Sequence, residues 1–207
     1  VKKWRSILLF LTANLLTIHH MAYAITLDEL QQRFAHQAVV RASFTQERQI
    51  QGMPNPLHSN GEMLVSQHKG LWWHQQKPFP LTLVLDDSHM VQIMQGQTPQ
   101  VITADSNPQL FQFNHLMRAL FQADRAVLEE NFKIEFNDLG QDKWRLLLTP
   151  KTSPLDKLFT VITLSGQANL DAIVLTDRQG DRTELLFTQH RLTPGTLSHE
   201  EEQHFKF

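Results

Sequence analysis

The chain has 207 residues, a formal charge of −2 and a pI near 6.6. That length suits one domain, and so small a charge with no basic stripe gives no footprint for a nucleic-acid partner. The absence of cysteine excludes a disulfide framework, a thiolate metal site and lipid attachment at a mature N-terminal cysteine.

The first residues carry Lys2, Lys3 and Arg5, then the apolar run SILLFLTANLLTI, then Ala22-Tyr23-Ala24. The run is about a dozen residues, short of the roughly 20 that span a bilayer. A basic start, a short apolar run and a small-x-small site predict a secretory signal peptide over residues 1–24. Cleavage after Ala24 leaves a single mature domain, residues 25–207, exported to a bacterial periplasm.

Thr26 and Glu29 have capping-box spacing, and Leu27, Leu30, Phe34 and Ala38 recur at helical spacing, which predicts a helix over 27–37. The period then changes to two. Val40, Ala42 and Phe44 alternate with Arg41, Ser43 and Thr45 in a strand running to about residue 50. After the breakers Gly52, Pro54 and Pro56, strands are expected at 59–67, 70–76, 81–85 and 90–94, with a short one near Val101. Asp86-Asp87-Ser88 reads as a turn. In the middle, Phe113, Leu116, Met117, Leu120 and Phe121 recur at helical spacing behind Ser106-Asn107-Pro108. Asp124 caps a second short helix through Glu130. Strands resume at Phe132, Ile134 and Phe136, then at 144–149, 159–165, 170–176 and 182–190. The charged tail 198–204 is expected to fray. About eleven strands, few helices and no βαβ alternation predict a mainly β (α+β) fold. Its form is a large antiparallel sheet curled into an open, incomplete barrel with helices on one face.

Signatures of catalysis are missing. There is no Gly-x-Ser-x-Gly elbow and no phosphate loop. The 11 histidines are scattered, and His68 and His74 lack a third ligand for zinc. Asp86 and Asp87 are turn formers first. No enzyme, no cofactor and no metal are expected.

What the sequence does offer is apolar surface on both faces of its strands. Leu146 to Leu148, Ile173 to Leu175, Leu185 to Phe187 and Leu83 to Leu85 are continuous runs. Too few helices exist to cover both faces of so many strands. A barrel with an apolar concave face beneath a helical lid resolves this, and the space between can hold an acyl chain. The adjacent Trp72 and Trp73 fit the same picture, because neighbours in a strand point to opposite faces. One tryptophan lines the concave face and the other packs outside.

Ala42-Ser43-Phe44-Thr45-Gln46, Gly61-Glu62-Met63-Leu64, Gly70-Leu71-Trp72-Trp73, Lys77-Pro78-Phe79, Leu148-Thr149-Pro150-Lys151 and Gly180-Asp181-Arg182-Thr183 occur in an order that resembles the periplasmic outer-membrane lipoprotein carriers of the LolA-like family, over roughly residues 26–192. The proline-rich segment 53–61 is similar to a divergent branch of it. The resemblance implies a half-open barrel with a helical lid. Such a protein shuttles the acyl chains of lipoproteins or related lipidated cargo from an inner-membrane exporter to an outer-membrane acceptor, as a monomer. The family holds its empty form closed with an arginine in the strand before the tryptophan strand; Gln67 stands at that position here. Alternation and resemblance together nominate Phe44, Leu64, Leu71, Trp73, Leu83, Leu85, Ile93, Leu116, Leu120, Leu147, Phe159 and Leu175 as apolar lining, with Leu116 and Leu120 in the lid. Two other readings stand beside this one. A structural or protein-binding β-domain of an envelope assembly would have a filled core, and an envelope enzyme would have a buried polar cluster.

Overall fold

The computed structural model describes residues 24–103, 105, 106, 115, 118–121 and 123–207. The expected signal peptide, apart from Ala24, and Phe113, Leu116 and Met117 lie outside the described residues.

Helix α1 (Leu27–Ala35) starts at the capping box, with Thr26 accepting from the Glu29 amide and Glu29 accepting from the Thr26 amide. Its buried residues are Leu30 and Phe34. Six strands follow as a meander: β1 (Val39–Gln49), β2 (Leu57–Ser66), β3 (Gly70–Lys77), β4 (Leu81–Leu85), β5 (His89–Met94) and β6 (Gln100–Thr103). Helical residues at 118–121 lead into α2 (Arg125–Asn131), capped by Asp124. A second meander contains β7 (Phe132–Gly140), β8 (Lys143–Pro150), a single turn α3 (Leu155–Leu158), β9 (Phe159–Gly166), β10 (Leu170–Asp177) and β11 (Arg182–Arg191). The antiparallel pairing of β1 with β11 joins the two meanders into one 11-stranded sheet, in the order β6-β5-β4-β3-β2-β1-β11-β10-β9-β8-β7. Strands β6 and β7 are its two edges, so the sheet is open.

Residues paired across strands share a face, and the pairing sorts the sheet into an inner and an outer side. One inner row runs Ala42, Met63, Trp73, Leu83, and the next runs Val40, Val65, Leu71, Leu85, Met90. In the second meander, Leu185, Ile173, Leu164, Leu146 and Phe136 form one inner row and Leu175, Ile162, Leu148 and Ile134 another. Leu30 and Phe34 of α1, Leu120, and Leu128 of α2 pack into the same core. The helices therefore lie against the inner face. Asp28 of α1 and Arg125 of α2 form an ion pair at 2.6 Å, and Arg125 also pairs with Glu129.

The C-terminal tail departs from expectation. Residues His199–Gln203 form helix α4, closed by a second capping box in which Ser198 accepts from the Glu201 amide and Glu201 accepts from the Ser198 amide. This segment docks on the outer face.

Candidate functional site: an apolar inner face under a helical plug

Aromatic side chains gather in the inner face around Trp73. Its ring stacks on Phe44 at a centroid distance of 3.6 Å and meets Phe187 edge-on at 6.5 Å. Phe121, from the helical residues above the sheet, meets Phe187 at 5.8 Å. Leu120 and Ala123 are fully buried beside them. These residues plug the concave space. Among the described residues a cavity of about 30 Å³ lies here, lined by Phe34, Val40, Met63, Val65, Phe121, Leu170 and Phe187, with Gln37, Gln67, Asn169 and His190 around it. That admits a water or two, whereas small-molecule pockets run to several hundred Å³. An acyl chain does not fit this cavity while the plug is in place.

Of the nominated lining, Phe44, Leu71, Trp73, Leu83, Leu85 and Leu175 sit on the inner face, and Leu120 is buried against it. Phe159 is half-buried at the edge of the same core. Three residues are corrected. Leu64 pairs with Trp72, Ile93 with Thr82, and Leu147 with Glu135 and Thr163. All three lie on the outer face, one position out of phase with the inner residues Met63 and Val65, Met94, and Leu146 and Leu148. In continuous apolar runs alternation carries no phase, and a slip of one flips the face. Phe121 and Phe187 were missed as lining candidates. Both stood in apolar runs, and only the tertiary fold brings them to Trp73.

Gln67, the nominated closure position, meets the helices on the inner face twice. Its side-chain amide donates to the Ala35 carbonyl at the end of α1, at 2.8 Å. The contact to the plug is made by its backbone carbonyl, which accepts from Arg118 at 3.1 Å. The other guanidinium nitrogen of Arg118 pairs with Asp87. The cation that ties the helical segment down thus belongs to the segment itself, and the sheet end supplies the acceptors. Hydrogen bonds from a charged donor are worth about 1.5–3 kcal/mol, and the 79% exposure of Asp87 puts this tie at the low end. Arg118→Met is expected to speed amide hydrogen exchange over residues 118–121 about tenfold, while Gln67→Ala leaves it close to wild type. Equal exchange in both variants would remove Arg118 as the tie.

The outer tryptophan has a different partner set. Trp72 lies between His74 at 5.4 Å and His204, just past α4, at 4.2 Å, both stacked. Arg41, buried in β1, donates to both carboxylate oxygens of Glu201 and to the carbonyls of Pro194 and Thr196. The tail therefore covers part of the outer apolar row Leu64, Trp72 and Val84. Among the described residues no group of three or more His, Asp or Glu could hold a metal ion.

An open antiparallel sheet whose apolar inner face is stopped by a helical segment defines a class of proteins built around a hydrophobic interior. The family described as outer membrane lipoprotein carrier protein LolA-like matches residues 20–193, and the chain belongs to that family. Among solved structures it is similar to a LolA superfamily protein from Nitrosomonas europaea, at 11% identity over 89% of this chain and 99% of that one, TM-score 0.48. It is also similar to a putative outer membrane lipoprotein-sorting protein domain from Vibrio parahaemolyticus, at 11% identity over 85% and 94%, TM-score 0.46. A search of curated proteins returns no match.

Proposed function

We propose that this chain is a periplasmic carrier. It would take up the acyl chain of a lipoprotein or related lipidated cargo between its inner sheet face and the helical plug, and move it from an inner-membrane exporter to an outer-membrane acceptor. The observation that carries this reading is the origin of the plug. The aromatic floor of Phe44, Trp73 and Phe187 belongs to the sheet, whereas Leu120 and Phe121 belong to a helical segment tied through Arg118 to Gln67 and Asp87. Displacing that segment exposes the floor without breaking a strand pairing. The driving force is ordinary. Each methylene removed from water contributes about 0.8 kcal/mol, so an anchor cannot cross an aqueous space uncovered. Export with cleavage after Ala24, and the absence of catalysis and cofactor, are parts of the same proposal.

The test is native mass spectrometry of residues 25–207 purified without detergent, with displacement of a fluorescent fatty acid. Adducts of lipid or lipopeptide mass that vanish on denaturation are the expected result. Trp73→Glu should weaken probe binding by at least about tenfold, because an ionised carboxylate in the aromatic floor opposes an apolar ligand. Trp72→Glu should bind as wild type and be less stable. Equal loss in both folded variants would sink the face assignment. The residual 30 Å³ favours a second reading, a structural or protein-binding domain with a permanently filled core. A bare mass together with no probe binding selects it.

A further inference from the structure

The hairpin tips at the two ends of the sheet differ in chemistry. At the end near Arg118, the turns are Gln67-His68-Lys69 and Asp86-Asp87-Ser88, all polar. At the opposite end, the tips of the first meander span residues 50–56, 78–80 and 95–99 and contain no charged residue. Along the chain the charge next to the Phe79 turn is Lys77, in the last position of β3, and the Asp181 carboxylate accepts from the Gln51 amide of the first tip. Phe79 stands at the middle tip and is 72% exposed, with Met53, Leu57, Met94 and Leu158 also exposed. These five residues account for half of the ten large hydrophobic side chains exposed among the described residues.

They form one rim. Lys77 pairs with Asn60 near the start of β2, and Leu81 pairs with Met94, so the Phe79 turn lies between the Leu57 and Met94 ends. The loop that holds Met53 meets the turn between β10 and β11, where the Gln51 amide donates to Asp181. That turn in turn meets Leu158, whose carbonyl accepts from the Arg178 amide. Pro54, Pro56, Pro78, Pro80 and Pro99 stiffen the tips, so presenting the apolar side chains to a surface costs little conformational freedom.

We propose that this rim docks on a phospholipid bilayer. Phe79 and Met53 enter the headgroup region and Lys77 sits at the level of anionic headgroups. Exposed aromatic and Met side chains beside a lysine match an interfacial, anionic lipid surface, and the Asp181 carboxylate that meets the Met53 loop is buried and paired with Arg48. A basic or acidic protein groove would instead call for opposite charge on the tips. The inference stands apart from what the inner face holds. A carrier would use the rim to approach a membrane, and a structural domain would use it to stay there.

Flotation of residues 25–207 with vesicles of phosphatidylethanolamine and phosphatidylglycerol tests it, beside Phe79→Glu and the double variant Phe79→Glu/Met53→Glu. The wild type should float with the vesicles. The single variant should lose binding by about tenfold and the double variant by more, with unchanged circular dichroism. Replacing phosphatidylglycerol by phosphatidylcholine should weaken wild-type binding, and Lys77→Gln should remove that difference. Equal flotation of wild type and double variant overturns the proposal, and so does a wild type that stays unbound. Self-association abolished by Phe79→Glu, without vesicle binding, would assign the rim to a second copy of the chain. Binding of the fluorescent fatty acid, measured on the same samples, reports the carrier reading separately. The double variant should keep it, and a wild type that floats but binds no probe retains the rim while losing the carrier.

Discussion

Trp144→Ala should destabilise the protein by about 3–5 kcal/mol, the cost of removing a fully buried large aromatic from a packed core. Trp144 is 0% exposed. It is where α1 meets the second meander, with Phe34 edge-on at 5.8 Å and the indole N–H donating to the Gln167 carbonyl at 3.0 Å. The same turn accepts from Arg33 of α1 at 2.8 Å. Removing the indole therefore leaves a cavity, a Gln167 carbonyl bonded to Arg33 alone and a helix whose Phe34 has lost its ring partner. Trp144→Phe keeps most of the volume and loses the hydrogen bond, which alone is worth about 1 kcal/mol. Urea unfolding of the two variants separates packing from hydrogen bonding. If the alanine variant lost no more than the phenylalanine variant, the core would have to collapse around the missing ring, and α1 would not depend on it.

How far the sequence reaches is clearest strand by strand. In β1 and β7 the polar residues are interleaved, so Val40, Ala42 and Phe44, and Phe132, Ile134 and Phe136, fall on the inner face as alternation requires. In β8 the run Leu146-Leu147-Leu148 is apolar throughout. Its phase is set by pairing with β7 and β9, a long-range fact that no local pattern contains. Ile93 is different, because the signal was present. The turn after β4 places Leu85 opposite Met90, so the even residues of β5 share the face of the odd residues of β4, and hairpin register would have given Met90 and Met94 rather than Ile93. Gln92 on the inner side disguised this, since a polar residue reads as solvent-facing. The helical plug was legible as an amphipathic pattern through Leu120 and Phe121, but its tie was not. Gln67 was read by position, while the bond runs from Arg118 to a backbone carbonyl, which has no sequence signature. The capping box at Ser198 and Glu201 could have signalled that the tail is ordered. What it docks against depends on a buried arginine in a strand that pairs with β11.

Arg41→Ala should release that tail. Arg41 is almost wholly buried and Glu201 is 18% exposed, so removing the cation strands a carboxylate and two carbonyls. Breaking a buried pair costs about 3–5 kcal/mol, and partial access of water to Glu201 brings the expected loss to about 2–3 kcal/mol. The loss should be local, read as rapid exchange of the amides in α4 and altered Trp72 fluorescence as His204 leaves its ring. Acid should do the same to the wild type. The Arg41 guanidinium, helped by the Ser198 amide, pushes the Glu201 carboxyl down from 4.5 to about 2. A carboxyl depressed in the folded state contributes its stability above the unfolded value and loses it as pH falls through the folded one. The tail should therefore hold at neutral pH and loosen progressively between about 4.5 and 2. Arg41→Met with Glu201→Leu replaces the pair by apolar groups. It should stay docked and lose the acid response, because the carboxylate that Arg41 holds ionised is gone. If the double variant still loosened in that window, the response would belong to another group, and the pair would not be what holds α4 over Trp72.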